Sequence, residues 1–125
     1  MNNKTHLALA ALLTAVMSMS FSSSALSEQS ATRQMAQIVS GLNHRPSADD
    51  KATLQAIANS GSDAEKAIAN AILNMEHSIS SGSKEKLRMV SKDRNVPEST
   101  RELATIVQNL KHKASSADKE KLHSM

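Results

Sequence analysis

Three histidines, His44, His77 and His112, recur at spacings of 33 and 35 residues in a chain of 125. Imidazole is both the commonest metal-binding side chain and the one whose charge changes near neutral pH, so the recurrence points to metal binding or a pH response. Geometry weighs against one shared ion. Equivalent positions on packed helices lie roughly 10 Å apart, whereas the ligands of a zinc ion must each come within about 2.1 Å of it. Neighbouring charge weighs against it too: His112 lies between Lys111 and Lys113, His44 precedes Arg45, and only His77 has a carboxylate beside it, Glu76. The expected role is therefore structural, each ring ending a helix and binding its last free carbonyls, where the helix dipole favours positive charge. No metal is expected, and His44, His77 and His112 stand as the candidate ligands if one is bound. Of the chain's other two histidines, His6 lies in its first residues and His123 among its last.

Other reactive chemistry is sparse. Cysteine is absent and Phe21 is the sole aromatic residue, so thiolate nucleophiles, Cys-type zinc sites, disulfides and base-stacking platforms are excluded. Serines are frequent but fall in turn and cap contexts, and Ser81, three residues before Lys84, lies at such a turn rather than in a nucleophile motif. Asp49 and Asp50 sit where a helix should begin, a place that favours negative charge. Gly41, Gly61 and Gly82 are isolated and make no phosphate-binding loop. Neither an enzyme nor a cofactor is expected.

The elements around the histidines are legible from the apolar pattern. Upstream of each one the same ladder returns: Met35, Ile38, Val39, Leu42; Ile68, Ala71, Ile72, Met75; Leu103, Ile106, Val107, Leu110. Each set follows i, i+3, i+4, i+7, one face of a helix. Ten residues after each histidine comes Leu54, Leu87 or Leu122, and three further on Ile57, Val90 or Met125. Ser47, Ser80 and Ser115 share a register, as do Lys51, Lys84 and Lys119. Cap signals agree: Ser47 with Asp50, Ser62 with Glu65 after Gly61, Ser115 with Asp118, and Pro97 at a helix start. Helices are predicted over 29–43, 47–59, 62–78, 83–93, 97–112 and 115–124. The expected fold is all-α, three tandem helix-turn-helix repeats of about 34 residues forming a short solenoid or a compact helical bundle. The period resembles that of tetratricopeptide repeats, hairpins stacked into a superhelix. The large aromatic residues of that family's pattern are missing here, and no binding residue is carried over. A chain ending at Met125 in a short second helix would leave an apolar end suited to self-association.

Residues 1–25 have the pattern of a secretory signal peptide: Lys4, an apolar run from Leu7 to Val16, then small residues to Ala25, with Ser23 and Ala25 as the small pair before cleavage. The run is short for a membrane span, which takes roughly 20 apolar residues. Residues 26–125 are then a single domain, and export without cysteine points to the bacterial periplasm or the exterior. Residues 26–79 hold four basic and six acidic side chains, whereas 80–125 hold ten basic and six acidic. Lys84, Lys86, Arg88, Lys92 and Arg94 form the candidate face for an anionic partner, although Glu85 and Asp93 among them favour a solvated helix face. Export argues against nucleic acid, and a membrane surface is not the favoured partner.

The function expected from these features is a protein-interaction adaptor or chaperone-like binder. Two alternatives stand beside it: a metal- or pH-responsive envelope stress protein using the histidines, and a peripheral membrane-binding protein using the basic half. Amino-terminal sequencing of the exported protein should begin at Leu26, and Ala25→Arg should leave the precursor uncleaved.

Overall fold

The computed structural model describes residues 31–125. The expected signal segment, with Lys4, the Leu7–Val16 run and Ala25, lies outside the described residues, as does the expected start of the first helix at 29. Six helices and no strand make up the described residues: α1 over 31–41, α2 Ala48–Ser60, α3 Asp63–Leu73, α4 Ser81–Lys92, α5 Glu98–Gln108 and α6 Ser116–His123. The fold is an all-α helical bundle.

Local chemistry accounts for most of the boundaries. Ser47, Ser62, Ser80 and Ser115 are the N-caps of α2, α3, α4 and α6, each accepting a hydrogen bond from the backbone N–H three residues on. Asp50 and Glu65 return the bond to their caps and complete capping boxes. Pro97 caps α5 through its extended backbone alone, where its missing N–H removes no helical bond. Gly61 joins α2 to α3 at a φ of −73°, open to any residue, so its conformation is not what requires glycine. Close approach does: a Cβ there would lie 2.7 Å from the Ile57 carbonyl oxygen.

The first, third and fifth helices end earlier than the periodicity predicts, at 41, Leu73 and Gln108 rather than 43, 78 and 112. The last rung of each ladder, Leu42, Met75 or Leu110, is buried, but it reaches the core from the connecting loop. Its N–H still bonds three residues back, to the carbonyls of Val39, Ile72 and Val107. Periodicity thus continued past the point where the backbone had left the helix. α4 begins at Ser81, two residues before its predicted start, because Ser80 already caps it.

The core is aliphatic throughout. Every rung of the three ladders is buried, together with Leu54, Leu87, Leu122 and Ile57, while Val90 and Met125 pack against it partly buried. Met125, at the expected apolar end, is thus half-buried, and the one large hydrophobic side chain standing free among the described residues is Met89 on α4, 66% exposed. α2 packs most extensively on α3, and α4 on α5, while α3 also meets α4 and α5.

Two contacts fix how α1 and α5 lie. Thr32 and Thr100, both buried, share a 2.8 Å hydroxyl hydrogen bond at the helix starts. At the other end, the His44 N–H donates to the His112 carbonyl over 2.9 Å. Both pairs are 68 residues apart, so the helices run side by side in the same direction. In a stack where units touch only their sequence neighbours, these segments would not meet. Of the two expected architectures, the chain adopts the bundle.

Valine keeps the shape of threonine without its hydroxyl. Thr100→Val should cost about 1–3 kcal/mol by stranding the Thr32 hydroxyl, and Thr32→Val/Thr100→Val should recover much of that loss. Urea unfolding followed by helical circular dichroism measures both, since residues 26–125 have no aromatic chromophore.

Candidate functional site

The structure gathers the three histidines at one end of the bundle. Each follows a helix by three residues, counted from Gly41, Asn74 or Asn109 at the helix end. The loops are hydrogen-bonded in a row: His44 N–H to the His112 carbonyl, and His112 N–H to the His77 carbonyl at 3.0 Å. All three rings are exposed. The His44 and His112 rings meet edge to face with centroids 5.1 Å apart, and His77 lies 5.6 Å from His112. Between the first two, Nδ1 stands 3.2 Å from Nδ1, one nitrogen donating and the other accepting.

This overturns the separation of roughly 10 Å expected for equivalent positions on packed helices. The histidines are in loops, not on the helices, and the loops converge more closely than the helix axes do. The carbonyl-capping role is also replaced. Asn74 and Asn109 serve the last turns of α3 and α5, their side-chain amides donating to the Asn70 and Thr105 carbonyls at 2.8 and 2.9 Å. His123 stands apart, its Nε2 3.4 Å from the Ser40 hydroxyl.

His44 and His112 have left-handed backbones, with φ of 70° and 60°, the only non-glycine residues of this kind among those described. Each centres a three-residue turn closed by its neighbours, Arg45 N–H to the Asn43 carbonyl and Lys113 N–H to the Lys111 carbonyl. Turns of this hand are rare and strained. His77 has no such conformation, and its neighbour Ser78 pairs with Lys111 instead.

A second feature escaped the sequence analysis. An open groove of about 770 Å³ lies between the start of α3, the end of α4 and the start of α5. Ala64, Ala67, Met89, Val90, Val96 and Pro97 supply its apolar surface. Asp63, Lys86, Lys92 and Asp93 mark its polar edge. Beside it, Glu65 is buried in its capping box, with Oε1 on the Ser62 N–H and Oε2 without a partner. The available signal was Met89, a large apolar side chain off the Leu87–Val90 stripe of α4.

The five basic residues singled out in sequence, Lys84, Lys86, Arg88, Lys92 and Arg94, are all exposed, and Lys84, Arg88 and Lys92 follow one side of α4. Arg88 is paired with Glu85 through two parallel bonds, Nε donating to Oε2 over 3.1 Å and Nη2 to Oε1. That hydrogen bond holds the Glu85 carboxyl below the usual carboxylate range and pushes Arg88 up. Lys86 and Lys92 line the groove among acidic neighbours, leaving Lys84 and Arg94 apart from it. No described helix is long and apolar enough to cross a membrane, and no described group of three or more His, Asp or Glu side chains is arranged to hold a metal ion. Comparison with protein-family models, curated proteins and solved structures finds no match.

Left-handed backbone favours glycine over alanine by roughly 1–2 kcal/mol, and elsewhere the preference reverses to about 0.5–1 kcal/mol. At positions 44 and 112 the Gly variant should be the more stable of the Gly/Ala pair, and at 77 the Ala variant, as read by urea unfolding.

Proposed function

We propose that the chain is an exported, non-enzymatic protein built of three helical hairpins, and that it acts as an adaptor or chaperone-like binder in the bacterial envelope or outside the cell. The observation that carries this reading is the open apolar groove with Met89 standing free at its edge. Its occupant is an extended apolar segment of a partner protein. A groove of this volume, walled by alanine, valine and proline, offers shape without a fixed hydrogen-bonding pattern. Methionine adds a flexible, polarizable side chain that adjusts to different sequences. Lys86 and Lys92, with Asp63 and Asp93, provide charges of both signs for the flanks of such a segment.

The tandem-repeat reading is supported by recurring local chemistry. Ser47, Ser80 and Ser115 cap the helices that follow the histidine loops, and Pro46, Ile79 and Ala114, each two residues after a histidine, are all buried. The three buried polar residues, Thr32, Glu65 and Thr100, also fall at the repeat spacing. The non-enzymatic reading is supported by the use of these serines as caps, with hydroxyls engaged by backbone N–H groups.

The test is suppression of light scattering by a chemically unfolded, aggregation-prone protein, with photocrosslinking from position 89 to locate contact. Met89→Glu should weaken the effect roughly tenfold, about 1.4 kcal/mol of binding free energy. Replacing His44, His77 and His112 together by Gln should leave it unchanged. Equal suppression by Met89→Glu, with no crosslink to the client from position 89, would remove the groove from the account.

A further inference from the structure

The geometry points to a two-imidazole site for a divalent transition-metal ion, formed by the Nδ1 atoms of His44 and His112. At Zn–N distances of 2.0–2.1 Å, two ligands of a tetrahedral ion stand about 3.3 Å apart. The two Nδ1 atoms are 3.2 Å apart and face one another, so an ion replaces the single shared proton with little movement of either ring. The exposure of both residues leaves the outer coordination positions to water.

The backbone supplies a second, independent reason. A strained conformation persists only where the surrounding structure holds it, and such conformations cluster where side chains must be aimed. Here the same rare turn occurs twice, and each time the residue at its centre is one of the facing histidines. The His44 N–H bond to the His112 carbonyl clamps the two turns together. That clamp sets the ligand spacing before any ion arrives, which lowers the ordering cost of binding.

His77 is a neighbour of this site, not a ligand. Its ring centre is 5.6 Å from that of His112, and the three rings do not form a three-ligand arrangement. Arg45, Lys111 and Lys113 flank the pair and oppose a cation, with Glu76 the one acidic residue in the histidine loops. Imidazole donors under that repulsion select from the top of the divalent affinity order, so copper(II) should bind more tightly than zinc.

The experiment is titration of the untagged protein with copper(II) chloride and, separately, zinc chloride, followed by calorimetry and thermal unfolding at moderate salt. One ion per chain is expected, with copper favoured and the melting temperature rising with ion concentration. His44→Gln and His112→Gln should each lose at least the roughly 10- to 100-fold that even indirect ligand-support changes cost. His44→Gly should lose the ion while keeping its fold, which separates ligand loss from unfolding. His77→Gln and His123→Gln should bind as the parent does. No binding of either ion, undiminished binding in His44→Gly, or an equal loss in His77→Gln would overturn the two-histidine site.

Discussion

Two backbone hydrogen bonds, from His44 to His112 and from His112 to His77, hold together three loops that are far apart in sequence. Much of the architecture depends on them. They bring the ends of α1, α5 and α3 into one row, and with the Thr32–Thr100 bond at the opposite end they hold α1 alongside α5. A core of Leu, Ile, Val, Met and Ala has no large aromatic plate to organise it. Orientation must then come from directional bonds at the edges of the apolar layer, and here such bonds act at both ends.

The helices were largely readable because caps and ladders are local signals. Ser47–Asp50 and Ser62–Glu65 are found as reciprocal boxes, and all twelve ladder residues are buried. Helix ends were less readable. Leu42, Met75 and Leu110 are buried for the same reason as the helical rungs, so hydrophobicity carries no mark of where the backbone leaves the helix. Asn74 and Asn109 were the missed stop signals, with side chains able to cover the freed carbonyls. The pairing of helices was also hidden. α2–α3 and α4–α5, which join one sequence unit to the next, pack more extensively than α3 does on α4 across a histidine loop.

The candidate sites differ in legibility for a related reason. The histidines stood out in sequence, yet their convergence depends on contacts between segments 68 residues apart, which no local spacing encodes. Their left-handed backbones are likewise set by neighbouring loops rather than by the identity of the residue. The groove was invisible for the opposite reason: its walls are ordinary small and branched residues from three helices, and only Met89 departs from the buried stripe. The basic cluster was conspicuous in sequence, whereas the pairing of Arg88 with Glu85 inside it shows only in the structure.

The bundle also imposes an order of assembly. α2 with α3 and α4 with α5 are sequence neighbours and can pair as soon as both members exist. The bonds of α1 to Thr100 and of its following loop to His112 span 68 residues, and Ser40 meets His123 across 83. Loop closure over such distances is slow because its entropic cost precedes any gain from contact. A chain made from its amino terminus therefore carries the apolar face of α1 only partly covered until α5 and the His112 loop have emerged. Completion of this layer of the core thus waits on a helix and a loop made some 68 residues later than the segments they bond.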